Sequence, residues 1–295
     1  MQQENGPACR KISRGNEGPR VKPVIREIVA KTVLNRSKLG DYSLNCYGGC
    51  EHACAYCYAR FMQRFHPHDE PWGEFVDGKA NAPEALVRQL RRAEPGGVFV
   101  SSACDAYQPI ERERRLTRAC AEMLMRYGFD VHVLTKSALV LEDIPMYAAG
   151  RRARIGVTIT TPDESAARLW EPHAASVAKR IEVLRTAKGA GLRTAVMFGP
   201  LLPGISDDGE TLDRLMAIAR DLDVDVIWTD ALNLRPKVWP SVQALLAKVR
   251  PALIEPYRGL LFNEAKREKY LAGLRRRIEA AAEHNKVASR LAGCP

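Results

Sequence analysis

The sequence has no apolar run approaching the length of a bilayer crossing, which excludes a transmembrane α-helix. It has no apolar core behind the charges of its first residues, MQQENGPACRKISRG, so no secretory signal is expected there. Both absences predict a cytoplasmic protein with no membrane association. Thiols stay reduced in that compartment, so the eight cysteines are not expected to form a disulfide framework. No strand-like segment is followed by G-x-G-x-x-G or Walker spacing, which counts against the nucleotide folds built on those loops. No second cysteine pair lies a dozen or more residues from the first, as two zinc knuckles require. Acidic residues are outnumbered, 35 against 45 Lys and Arg, for a net charge of +10. That surplus suits DNA or another anionic substrate. It also keeps open the alternative of a basic nucleic-acid-binding protein with a structural metal or Fe–S site. The densest basic run, 266–277, reads as the solvated face of a C-terminal helix.

What is present is ordered along the chain. Residues 1–35 form a basic N-terminal extension; the first twenty are polar and expected to be disordered. From Val24, apolar residues return in a helical rhythm through Ile25, Ile28, Val29, Val33 and Leu34. Six strand-like runs follow, at 41–47, 97–102, 130–137, 154–161, 192–204 and 224–230. Helical periods lie near 54–65, 112–127, 174–190 and 208–221. Alternation of this kind predicts an α/β fold with a parallel sheet, here a partial (β/α)6 TIM-type barrel over 36–235. A helical segment, 236–295, is expected to pack on the open barrel side or the mouth.

In such barrels the chemistry lies beyond the C-terminal strand ends. Those ends carry Ser101, Ser102, Cys104 and Asp105, then Thr135, Lys136 and Ser137. Thr158, Thr160, Thr161, Pro200, Asp230 and Asn233 follow. Asp105, Tyr107, Gln108 and Glu111 either line a pocket or cap the next helix. The segment 66–84 reads as a long irregular loop with His66 and His68 at its surface.

After the first strand comes 45-NCYGGCEHACAYCYAR-60, with four cysteines in twelve residues. Cys50-x3-Cys54-x2-Cys57, with Tyr56 just before the last cysteine, resembles the signature of the radical S-adenosylmethionine (AdoMet) superfamily. The runs 35–65, 104–118, 134–144, 157–172 and 198–207 are similar to its spore photoproduct lyase-like branch. The resemblance implies a [4Fe–4S] cluster held by Cys50, Cys54 and Cys57, with one iron open to AdoMet. It implies an external one-electron reductant of the flavodoxin or ferredoxin type. Reductive cleavage then yields a 5′-deoxyadenosyl radical that takes a hydrogen atom from a substrate. That substrate is a DNA or nucleotide lesion, or a peptide or small-molecule precursor.

The resemblance also implies AdoMet contacts at Tyr56, Cys104, Lys136 and Thr158: Tyr56 against the adenine, Lys136 on the carboxylate and Thr158 on the ribose. Lyases of this branch return a hydrogen atom through a cysteine and tyrosines beside the cluster. Tyr58 matches the tyrosine, but Ser102 stands where the cysteine is expected. Cys104, two residues on, is either the donor or a small apolar filler. Glu171 either bonds AdoMet or substrate or begins a helix-entry turn. Cys46 is expected to be a buried residue outside the ligand set, Tyr47 structural, and Cys9, Cys120 and Cys294 ordinary residues. A monomer is expected.

Overall fold

The computed structural model describes residues 22–64, 67–233 and 237–295. Its strands are β1 (Val24–Ile28), β2 (Leu34–Arg36), β3 (Tyr42–Leu44), β4 (Tyr47–Gly48), β5 (Phe75–Lys79), β6 (Gly97–Val100), β7 (Asp130–Thr135), β8 (Ala153–Thr158), β9 (Arg193–Leu201), β10 (Val226–Ala231) and β11 (Leu291–Gly293). Its helices are α1 (Ala82–Leu90), α2 (Glu111–Arg114), α3 (Leu116–Arg126), α4 (Ile144–Gly150), α5 (Glu164–Trp170), α6 (Val177–Gly189), α7 (Gly209–Asp221), α8 (Trp239–Val249), α9 (Ile254–Phe262) and α10 (Glu264–His284).

The main sheet runs β11-β10-β9-β8-β7-β6-β3-β2. Its six central strands are parallel and lie in chain order, the wall of a partial (β/α)6 barrel. All six coincide with the strand-like runs in the sequence. Between them the helices bury one stripe and show water the other. Thr117, Cys120, Ala121 and Leu124 of α3 are buried at helical spacing. Side-chain caps start several helices: Asp163 on α5, Ser176 on α6 and Asp208 on α7. At Gly156 an added Cβ would come within 3.1 Å of the Val133 carbonyl and 3.2 Å of the Ala195 carbonyl. Here β7, β8 and β9 pack so closely that a side chain would have to push its neighbours apart.

Four expectations are corrected. The helical rhythm after Val24 is a strand. β1 pairs in parallel with β5, and β4 pairs antiparallel on its other side, making a second sheet of three strands. Residues rich in Val and Ile suit a pleated surface once a partner exists, and that partner lies some fifty residues away. The partner comes from the segment read as an irregular loop, which holds β5 and the start of α1. The helix near 54–65 is a 3₁₀ helix, Tyr58–Arg64. The C-terminal segment is not helical throughout, because β11 adds a strand to the open edge beside β10.

The C-terminal helices share the barrel's cores. Leu274, Ile278, Ala281 and Ala282 of α10 join the main core. Val242 and Leu246 of α8 and Tyr257 of α9 pack with Cys54, Ala55, Tyr56 and Trp170. Among the described residues, no helix is long and apolar enough to cross a membrane. Residues 1–21, with Cys9, lie outside the described residues.

Candidate metal and cofactor site

The cysteine loop leaves β4 through Gly49, whose φ of +74° belongs to the left-handed region. A Cβ there would stand 2.5 Å from the Phe75 carbonyl oxygen. Gly49→Ala therefore combines backbone strain with a clash against β5. It is expected to cost more than about 1 kcal/mol in denaturant unfolding, with a parallel fall in cluster loading.

Beyond Gly49 the loop is braced from the segment after β6. The Gln108 side chain accepts from Glu51 N at 2.9 Å and donates to the Gly49 carbonyl at 3.3 Å. Glu51 accepts from Ile110 N at 2.8 Å. Asp105 lies 3.4 Å from His52 Nδ1 and accepts from Tyr107 N, Thr135 Oγ1 and Lys136 N at 2.9, 2.6 and 2.7 Å. Glu111 accepts from the Tyr47 hydroxyl and from the N–H groups of Thr117 and Arg118 at the start of α3. Of the two roles open to Asp105, Gln108 and Glu111, they take the bracing and capping one. Tyr107 is buried against Asp143 and Tyr147. Tyr47 is buried, and Cys46 lies in the main core.

The three sulfurs sit at the junction of two apolar clusters. Cys50 packs with Ala59, Trp72 and Phe75, and Cys57 and Cys104 lie against the same group. Cys54 packs with Tyr56 and Trp170. Burial pushes all three thiols up, Cys54 to about 12, while Lys136 acts in the opposite sense on Cys54 and Cys57. Coordination to iron would deprotonate them outright. Among the described residues, no three His, Cys, Asp or Glu side chains gather tightly enough to share one ion. Three thiols on one short loop, in largely apolar surroundings beside one lysine, suit a multi-iron cluster with one thiolate per iron better than a structural zinc ion, which takes four ligands.

The other expected site residues surround this loop. Lys136, at the end of β7, places its Nζ 5.7 Å from the centre of the Tyr56 ring. Burial opposes its charge, but Cys54 and Glu171 restore it, so its pKa lies above the ordinary value. The Tyr56 ring is stacked on Trp170 at 6.4 Å, and its hydroxyl meets Thr160 Oγ1 at 3.0 Å and the Glu171 carboxylate. Thr158 is buried at the end of β8. The half-exposed Tyr58 donates its hydroxyl to the Ser102 carbonyl. Ser102 Oγ accepts from Asn45 Nδ2 at 3.2 Å. Cys104 Sγ lies 3.5 Å from the Tyr47 carbonyl and 3.6 Å from Ser101 Oγ. Asp230 and Asn233 stand exposed at the end of β10.

Two residues change their reading. His68 is not at the surface; its side chain is 1% exposed, 2.9 Å from Asp77 and stacked on Phe75 at 3.8 Å. The strand β5, unseen in the sequence, supplies both partners. His66 lies outside the described residues. Arg180 went unremarked in the sequence, yet it is fully buried and its Nη2 lies 2.5 Å from Glu171. A signal was available: Arg180 sits in the buried stripe of α6 with Val177, Val183, Leu184 and Ala187. An arginine at such a position needs a buried partner.

A family model described as the radical SAM superfamily matches residues 44–216, which takes in the cysteine loop and the strands that surround it. The chain belongs to the radical SAM superfamily. A protein of Methanocaldococcus jannaschii is 33% identical over 185 residues, 62% of this chain and 70% of that relative. A protein of Acidianus two-tailed virus is 28% identical over 282 residues, 90% of this chain and 93% of its own length. A solved spore photoproduct lyase, complexed with dinucleoside spore photoproduct, superposes with a TM-score of 0.66. It is 14% identical, and the match covers 90% of this chain and 80% of the lyase. The chain therefore shares the lyase's fold. Within this radical SAM fold the cysteine loop occupies the C-terminal end of the first barrel strand.

Proposed function

We propose that this radical SAM protein is an enzyme that holds a [4Fe–4S] cluster on Cys50, Cys54 and Cys57, binds AdoMet against it and abstracts a hydrogen atom from a substrate. The observation that carries the reading is the placement of Cys50, Cys54 and Cys57 on one short loop at the barrel's strand ends, the first two buried and the third partly so. When bound, the cluster with AdoMet supplies an electron-triggered cleavage that generates a 5′-deoxyadenosyl radical.

The chain's own residues bind and orient. Lys136 offers a charged ammonium for the AdoMet carboxylate. Tyr56 flanks the adenine from the wall built with Trp170, and Thr158 serves the ribose from the end of β8. The apolar surroundings of Cys50 and Cys54 exclude water from the reacting groups. Tyr58 is tied to the backbone of Ser102, two residues from Cys104, so the residues proposed to return hydrogen share one corner of the mouth. The substrate is anionic, a DNA or nucleotide lesion in the lyase-like reading, in keeping with the net charge of +10. The electron comes from an external flavodoxin- or ferredoxin-type reductant.

Anaerobic reconstitution with iron and sulfide, reduction with dithionite and assay for 5′-deoxyadenosine test this directly. The expected result is an iron–sulfur chromophore and AdoMet cleavage above a cluster-free control. A protein that takes up zinc, shows no such chromophore and binds DNA with a steep salt dependence would replace this reading with a nucleic-acid-binding one.

A further inference from the structure

We propose that Glu171 and Arg180 are positioning residues for AdoMet, a role that rests on the functional reading above. They form one buried network with Thr160. Glu171 is 1% exposed and Arg180 1% exposed. Arg180 Nη2 lies 2.5 Å from Glu171 Oε2, a buried ion pair. Arg180 then donates from Nη1 to the Thr158 carbonyl at 2.9 Å and from Nε to the Ala175 carbonyl at 2.9 Å. On the other side, Thr160 Oγ1 lies 2.8 Å from Glu171 Oε1 and 3.0 Å from both the Tyr56 hydroxyl and the Gly199 carbonyl. Ala175 N donates to the Lys136 carbonyl at 3.0 Å.

The network thus reaches the backbone of Lys136, the backbone of Thr158 and the hydroxyl of Tyr56. These are three of the four residues proposed to contact AdoMet, and they come from three different segments of the barrel. A buried ion pair is a poor source of stability, because an apolar filling of the same volume often does as well. What it does supply is a directional link, with fixed polar partners on each side. Residues that hold a ligand must themselves be held, and this pair does so from behind. The cluster loop is braced by the side chains of Gln108, Glu51 and Asp105, and it meets the Glu171 turn through a backbone bond from Ala55 N to the Trp170 carbonyl at 2.9 Å, which a side-chain change at Glu171 leaves in place. Disturbing Glu171 should therefore loosen the AdoMet face while the cluster remains.

The test uses reconstituted full-length protein and AdoMet itself as the probe. Iron and sulfide content, the EPR spectrum of the reduced cluster with and without AdoMet, and AdoMet affinity by calorimetry are compared across variants. Glu171→Gln removes the charge but keeps the shape. Thr160→Val keeps the ion pair and removes only the hydroxyl, which guards against a folding defect in the first variant. Thr160→Ser retains the hydroxyl. Glu171→Gln and Thr160→Val are expected to keep their cluster, lose about tenfold in AdoMet affinity and show a diminished AdoMet-induced EPR change. Thr160→Ser is expected to match the wild type. Unchanged AdoMet affinity in Glu171→Gln with its cluster intact would overturn the proposal, because the Glu171 carboxylate meets the Tyr56 hydroxyl directly as well as through Thr160. So would loss of the cluster in Thr160→Val, which would make the network part of the cluster scaffold. A wild-type protein that carries the cluster but shows no response to AdoMet refutes the functional reading, and this inference with it.

Discussion

Replacing any one of Cys50, Cys54 or Cys57 with Ala is expected to reduce bound iron and 5′-deoxyadenosine formation to background. Loss of an outer-shell partner of a metal site commonly costs about 10–100-fold, and loss of a ligand itself should exceed the upper end of that range. The three thiols occupy one short loop, whereas Cys104, which lies against the same apolar group, comes from the segment after β6. Cys46 is the internal control. It is 1% exposed in the main core, and the adjacent Cys120 together with burial holds its thiol far above the ordinary value. Cys46→Ala should therefore leave the iron content unchanged. Equal iron loss in Cys46→Ala and Cys54→Ala would show that the ligand set has been divided wrongly. Iron and acid-labile sulfide determinations on the four variants, reconstituted side by side, decide the matter.

The second large effect is expected at Asp105. Its carboxylate lies between the cysteine loop and the end of β7, and it serves His52, Tyr107 N, Thr135 Oγ1 and Lys136 N. Asp105→Ala strands several buried donors at once. Each unsatisfied group costs about 1–3 kcal/mol, so a loss of about 3–5 kcal/mol in urea unfolding is expected. Because Lys136 N and His52 both lose their anchor, AdoMet binding and cluster loading should fall together. This contrasts with the Glu171 variants, where only AdoMet binding falls.

The pH dependence carries the same signature. Burial by itself would raise the Asp105 pKa, but His52, Thr135 and the Lys136 N–H together lower it well below the usual carboxylate value. A carboxyl with a depressed folded-state pKa contributes stability above its unfolded pKa, near 4 for an ordinary aspartate. That contribution declines as the pH falls below the unfolded pKa towards the lower folded one. The wild type should therefore lose the stability that Asp105 supplies only in acid. Asp105→Ala should lack that part of the acid dependence while being weaker at neutral pH. Urea midpoints at pH 7 and at pH 3 to 4 measure the difference, and an identical acid dependence in both proteins would rule out this account.

Local pattern alone determined a good deal. Six apolar runs, four of them followed by a helical period, specify a parallel barrel wall, because each side chain's burial depends mainly on its own strand and the next. The three cysteine positions were legible for the same reason: seven to eight residues of chain bring them onto one loop whatever lies around it. The partial barrel and the superfamily could thus be read before any coordinates.

What depended on distant contacts could not. β1 has a helical rhythm in sequence and becomes a strand only because β5, some fifty residues on, provides hydrogen bonds for its edge. His68 looks like a surface residue until β5 brings Asp77 and Phe75 to it. Glu171 had two readings, and Arg180 had none. The tertiary structure joined them because α6 packs its buried face on the end of β8, where an arginine in the apolar stripe meets a carboxylate delivered by a different turn. Charges can be buried only where a partner is fixed opposite them, and the position of that partner is set by packing across the barrel rather than by either local sequence.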